Sequence, residues 1–315
     1  MIIDRIDNIT RIPQEYRRPD PPAPKSVKIE VTGKCNFRCG FCPLSTRKHR
    51  GTDMDIKLFY DIASQISDLG IEEVGVFFMG ESFSSPDLLV KAIKHLKKDL
   101  GIPYVFLTSN GSLADPATVS RCMAAGLDSL KWSCNISDKK QFSKIVNVKA
   151  SLFDQVFENI RSAYKIREKH GYKTKLYASS IHYDNEQQGF MEDLLTQKIL
   201  PYVDQHYWLP LYSMGSLATA KEKELGLIPT AGNSGRYDNP VPPIPCWTLF
   251  TEAHIMSDGR MTGCCADATG EWIMGDLRKE SFMEAWHSGE FQKLRIMHLK
   301  GIVKGTKCEK CIIYK

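Results

Sequence analysis

The stretch Cys35-Asn36-Phe37-Arg38-Cys39-Gly40-Phe41-Cys42 decides how the rest of this chain is read. It follows an alternating apolar run, Val27, Ile29 and Val31, which predicts a strand running into a loop. Three thiolates this close together suit three corners of a [4Fe–4S] cube and leave the fourth iron open. Ferredoxin-type sites close every corner with a further cysteine. An open iron is useful only where something other than protein must bind it.

Two other uses of three cysteines compete with that reading. A structural zinc site wants a fourth cysteine or histidine at its usual spacing, and His49 is the nearby candidate. A disulfide framework belongs to secreted chains, whereas Met1-Ile2-Ile3-Asp4-Arg5 lacks the apolar core of a secretion signal.

Length and composition narrow the class further. The 315 residues leave room for one large domain and a small one. With 42% hydrophobic and 25% charged residues, the chain has the make-up of an ordinary globular protein. No apolar run reaches membrane-spanning length, so a cytoplasmic location and no membrane partner are expected. Ten cysteines in a reducing compartment point to metal binding rather than crosslinks. The net charge of +5 permits an anionic substrate or cofactor. No dense Lys/Arg block with interleaved aromatics accompanies it, and nucleic acid is not an expected partner.

In chain order, residues 1–25 are polar and close on a Pro-Pro-Ala-Pro stretch (Pro21 to Pro24), which predicts an arm rather than a domain. Residues 26–211 alternate strand-like and helical stretches. Helical spacing covers 55–69, 86–96, 116–126, 153–170 and 191–200, and strand-like runs cover 74–78, 104–108, 129–133, 175–181 and 205–211. Repeated β-then-α units predict an α/β fold with a parallel sheet and outer helices. Residues 212–245 break the rhythm with Gly, Ser, Ala and Pro and read as a linker. Residues 246–315 hold Cys246, Cys264 with Cys265 beside it, and Cys308-Glu309-Lys310-Cys311. A turn at 257–261 between two strands, a helix over 281–299 and the closing C-x2-C predict a small α+β lobe held by metal. Four thiolates at this spacing suit zinc as well as an iron–sulfur cluster.

The C-x3-C-x2-C loop, with Phe41 before its last cysteine, resembles that of the radical SAM superfamily. The resemblance implies a partial (β/α)6 TIM-like barrel, open on one side, with chemistry at the C-terminal ends of its strands and the linker partly over its mouth. It implies a [4Fe–4S] cluster on Cys35, Cys39 and Cys42 whose open iron binds S-adenosylmethionine, and an external one-electron donor such as flavodoxin or ferredoxin. Met79-Gly80-Glu81 resembles the family's Gly-Gly-Glu motif, which receives the amino group of that cofactor. By position, Ser109, Asn110, Ser133, Asn135, Ser179 and His182 would meet cofactor or substrate, with loop capping as the alternative. Cys122 and Cys134 read as packed thiols. The C-terminal lobe resembles the twitch domain, a shortened SPASM domain. That implies one auxiliary [4Fe–4S] cluster on Cys246, Cys264, Cys308 and Cys311.

Reaction and substrate are less constrained. The two-domain pattern, with its Ala285-Trp286 … Phe291 … Leu294-Arg295 segment, is similar to that of aminocyclitol dehydrogenases and aminoglycoside epimerases. These imply hydrogen abstraction from a small polyhydroxylated molecule, a sugar or aminocyclitol. Epimerisation needs a hydrogen donor, for which Cys265 is the spare thiol; a dehydrogenase instead needs the auxiliary cluster as electron acceptor. Asp267, Tyr212 and His254 are further candidates for contacting a polar substrate. Peptide-modifying relatives resemble one another in an N-terminal recognition domain, for which two dozen residues are too few. A non-catalytic iron–sulfur or zinc module is the reading from another class.

Overall fold

The computed structural model describes residues 1–46, 51–213, 229–306 and 308–312. His49 and positions 214–228 of the expected linker lie outside the described residues. No helix among the described residues is long and apolar enough to cross a membrane.

Six strands, β1 (Ser26–Ile29), β2 (Glu73–Gly75), β3 (Tyr104–Ser109), β4 (Ser129–Ser133), β5 (Lys175–Ile181) and β6 (Gln205–Leu209), pair in parallel in chain order. Helices fill the crossovers: α2 (Ile56–Asp68), α3 (Pro86–Lys94), α4 (Pro116–Ala125), α5 (Lys139–Val146), α6 (Ser151–His170) and α7 (Gln187–Leu194). This is the expected partial (β/α)6 barrel. Local chemistry explains the helix limits. The Asp55 side chain accepts from the amides of Lys57 and Leu58 to start α2, and Asp115 does the same for α4 ahead of Pro116. Helix α4 stops where Gly126 takes φ of 104°, a conformation that side chains disfavour. Strand β2 is shorter than expected, because Phe77 and Phe78 leave the ladder to wall the barrel's upper cavity, while the Val76 amide still donates to the Phe106 carbonyl at 3.0 Å.

The arm carries structure that its polar composition concealed. Helix α1 (Ile2–Thr10) buries Ile2 and Ile9 against the floor of the barrel. Arg5 donates to both carboxylate oxygens of Glu73 at the start of β2, at 2.9 and 2.7 Å, and lies 3.4 Å over the Tyr104 ring. The described end of the linker forms two short strands, β7 (Gly235–Arg236) and β8 (Asn239–Pro240). This described end of the linker is not over the barrel mouth. Arg236 and Asn239 both bond Asp7 of α1, which holds this segment at the floor.

The lobe is not a separate body. Strand β9 (Glu252–Ile255) pairs in parallel with β1, from Ser26↔Glu252 to Ile29↔Ile255. Strands β10 (Arg260–Thr262) and β11 (Ile273–Asp276) then add antiparallel, giving one nine-stranded sheet with β1 inside it. The Trp286-to-Arg295 segment locks this arrangement. Buried Arg295 lies 4.2 Å over the Trp286 ring and 4.3 Å over Phe291, and it donates to the carbonyls of Leu249, Trp286 and Pro19.

Candidate active site

Three cavities follow one another through the barrel and the lobe. The first, about 230 Å³, opens at the strand C-terminal ends and brings together most of the residues expected there, Ser179 and His182 excepted. Cys35, Cys39 and Cys42 line it, as do Met79, Gly80 and Glu81, Ser109 and Asn110, and Ser133. Asn135 and Cys134 are on the same wall. Burial pushes the Cys35 thiol up to about 12 and Cys39 well above its usual value, so their thiolates call for a cation nearby.

Glycine at position 80 has a steric cause. A Cβ there would lie 2.0 Å from the Thr32 carbonyl oxygen, so only glycine lets the β2 loop lie against the cysteine loop. The Glu81 amide donates to the Lys34 carbonyl at 2.8 Å across the same seam. The Glu81 carboxylate is buried, and burial raises its pKa. It accepts from Ser109 Oγ at 2.9 Å, from the Asn110 amide at 2.7 Å and from the Phe83 amide at 3.2 Å. Asn110 Nδ2 in turn donates to Asn36 Oδ1 at 3.1 Å, inside the cysteine loop. Glu81, Ser109 and Asn110 therefore tie the β2 and β3 loops to the cysteine loop.

A carboxylate hidden in the apolar alternation of β1 was missed. Glu30, 1% exposed, accepts from the Met79 and Gly80 amides on Oε1 at 3.2 and 3.1 Å, and from the Ser257 amide on Oε2 at 3.1 Å. It joins the Met79-Gly80 backbone to the lobe's first turn. Its place in the polar phase of Val27, Ile29 and Val31 hid it, since an acid there is expected to be exposed and acids are rarely buried without partners.

The second cavity, about 220 Å³, occupies the barrel interior above α1 and shares Phe77 and Thr108 with the first. Lys28 bonds Glu252 at 2.7 Å, and His254 Nε2 lies 2.8 Å from the same carboxylate. The third cavity, about 200 Å³, shares Tyr212 and Asn233 with the second. Five thiols line it: Cys246, Cys264, Cys265, Cys308 and Cys311. The Cys246 amide donates to His298 Nδ1 at 3.1 Å, which orients the first of them. Burial pushes Cys308 up to about 12 and Cys246 higher. The Cys265 thiol sits lower, at about 6, chiefly through a hydrogen bond with the Cys264 thiol; a Cys264 thiolate on metal has no proton for that bond.

Among the described residues, no three His, Cys, Asp or Glu side chains converge on one point as a single metal ion requires. Three loop thiols on one cavity and five thiols on the other make donor sets that fit iron–sulfur clusters.

Other expected contacts resolve differently. Buried Asp267 accepts from Thr262 Oγ1 and from the amides of Gly270, Glu271 and Trp272, so its carboxylate closes the hairpin loop. His182 stacks on Tyr237 at 3.9 Å, and Ser179 Oγ accepts from Lys131 Nζ at 3.1 Å. Cys122 is fully buried and Cys134 is 6% exposed.

The comparisons agree with this geometry. Residues 29–176 match the family model of the Radical SAM superfamily, and residues 246–312 match that of an iron–sulfur cluster-binding domain, SPASM. Among curated proteins, the chain is 27% identical over 130 residues to a GTP 3′,8-cyclase of Chlorobaculum tepidum, covering 41% of this chain and 38% of that protein. It is 30% identical over 145 residues to a probable GTP 3′,8-cyclase of Saccharolobus solfataricus, covering 45% and 44%. The match thus spans less than half the length of these relatives. Among solved structures, BtrN in complex with AdoMet and 2-DOIA superposes with a TM-score of 0.60 at 17% identity, covering 91% of this chain and 92% of that one. SuiB of Streptococcus suis bound to S-adenosylmethionine gives 0.62 at 16% identity, covering 92% and 77%. The chain carries a radical SAM domain followed by an SPASM/twitch domain, and with them an S-adenosylmethionine-binding [4Fe–4S] cluster and an auxiliary iron–sulfur cluster.

Proposed function

We propose that this radical SAM enzyme acts on a small polyhydroxylated molecule, a sugar or aminocyclitol, held in the barrel interior. The reaction is epimerisation at carbon, with Cys265 as hydrogen donor. The ligands would be Cys35, Cys39 and Cys42 for the first cluster and Cys246, Cys264, Cys308 and Cys311 for the auxiliary one. When bound, the first cluster and S-adenosylmethionine supply a 5′-deoxyadenosyl radical able to break an unactivated C–H bond. The observation that carries the proposal is the fifth thiol. Four cysteines complete a cluster, and the third cavity holds one more, accepting from Asn233 Nδ2 at 3.4 Å. Asn233 also lines the barrel interior.

In this reading the Cys265 S–H gives its hydrogen atom to the carbon radical on the face opposite the first abstraction. One electron and one proton then restore the thiol, the electron coming from the auxiliary cluster or an external donor such as flavodoxin or ferredoxin. The test is turnover in D2O by anaerobically reconstituted enzyme with S-adenosylmethionine, dithionite and candidate sugars and aminocyclitols. Wild type should return product with one solvent deuterium at the inverted carbon. Cys265→Ala should still form 5′-deoxyadenosine but lose inversion. Inversion surviving in that variant sinks the proposal.

The junction of the second and third cavities favours a second reading, in which the carbon radical passes its electron to the auxiliary cluster and a proton to solvent. The product would then be a ketone without solvent deuterium, formed equally well by Cys265→Ala. One SuiB structure holds precursor peptide SuiA, and the curated relatives are named for GTP. A peptide and GTP therefore complete the substrate panel. Failure to cleave S-adenosylmethionine under reductant would indicate a binding module.

A further inference from the structure

The barrel interior holds an uncompensated positive charge. Three cationic side chains, Arg5, Lys28 and Lys131, line it beside two carboxylates, Glu73 and Glu252. Arg5 is paired with Glu73 and Lys28 with Glu252, each at 2.7 Å. That leaves Lys131, from the middle of β4. Its ammonium donates to the Ser179 hydroxyl at 3.1 Å and lies 6.0 Å from the Tyr207 ring centroid. Among the described residues it has no carboxylate partner. A half-buried ammonium inside a barrel without a counter-charge is costly, and such groups are normally paired.

We propose that Lys131 receives an anionic group of the substrate, a carboxylate or a phosphate, so that the substrate is a sugar acid or sugar phosphate rather than an aminocyclitol. The inference rests on the reading of the barrel interior as the substrate chamber. It narrows that reading by charge: an amine would meet Lys131 with Lys28 nearby, whereas an anion completes the unpaired cation. Burial, aided by the charge of Lys28, already draws the Lys131 ammonium down to about 8, and a bound anion would draw it back up. The chamber lies between the two cysteine cavities and shares lining residues with each, so a molecule anchored on β4 there faces both.

The experiment is isothermal titration of S-adenosylmethionine-loaded, anaerobically reconstituted enzyme with glucose, glucosamine, glucuronate and glucose 6-phosphate. At least one of the two acids should bind tenfold or more tightly than glucose, and glucosamine should bind least. Whichever acid binds more tightly separates carboxylate from phosphate recognition. Lys131→Met should abolish the preference for acid, and Lys131→Arg should keep it; wild-type iron content and a melting temperature no lower than wild type identify folded variants. Equal binding of glucose and both acids, no binding of either acid, or a preference that survives in Lys131→Met would overturn the proposal. Binding is read without turnover, so loss of the epimerase reading in the deuterium experiment leaves this result standing, and the reverse also holds.

Discussion

Replacing Glu30 with glutamine tests how far one buried carboxylate holds the cofactor-facing loop to the lobe. The substitution keeps the shape and removes the charge. Oε1 can still accept from Met79 and Gly80, but the new amide group must face the Ser257 N–H as a donor. Hydrogen bonds to a charged group contribute about 1.5–3 kcal/mol each, and a buried donor left without an acceptor costs about 1–3 kcal/mol. Losing the Ser257 bond and weakening the other two should therefore cost roughly 3 kcal/mol. At about 2–4 °C per kcal/mol for a domain of this size, the melting temperature should fall by about 6–12 °C. Scanning calorimetry on anaerobically reconstituted protein measures it, with equilibrium dialysis of S-adenosylmethionine alongside. Affinity for the cofactor should weaken too, because the Met79-Gly80 amides lose their anchor. A variant that melts within about 2 °C of wild type and binds the cofactor normally would refute the reasoning.

Three further substitutions follow from the same structure. Gly80→Ala forces a methyl carbon to within 2.0 Å of the Thr32 carbonyl, so the two loops must part at a cost of about 1–3 kcal/mol; S-adenosylmethionine affinity measured by dialysis should drop. Arg295→Met orphans the carbonyls of Leu249, Trp286 and Pro19 at about 1–3 kcal/mol each, and iron analysis should show loss of the auxiliary cluster with the first retained. Lys131 gives a pH signature. Its folded pKa of about 8 lies below the ordinary lysine value of 10.5, so burial of its charge costs stability in full below pH 8. That cost is relieved as pH rises from about 8 to 10.5. Chemical denaturation should show stability rising across this window by up to roughly 3 kcal/mol in wild type, and the rise should be absent in Lys131→Met.

The two cysteine sets and the alternation of strands and helices could be read along the chain, because both depend on local order. Thiolate spacing shows that a metal group can be held, and periodicity sets which face of each element is buried. Met79-Gly80-Glu81 was legible through its resemblance to the Gly-Gly-Glu motif, and Ser109, Asn110 and Ser133 by position, since each strand of a parallel sheet delivers its last residues to one end. What joins those ends was not legible. Glu30 looked like one polar residue in an apolar run, and only the pairing of β1 with β9 placed Ser257 opposite it. Helix α1 looked like a polar arm until the barrel floor supplied Glu73 and Tyr104 as partners for Arg5. Lys131 drew no notice in the sequence, because nothing local shows that its strand points it into a chamber whose carboxylates are already paired. Local spacing fixed which groups the chain carries; contacts between residues far apart in sequence decided which of them are satisfied and which one is left for a substrate.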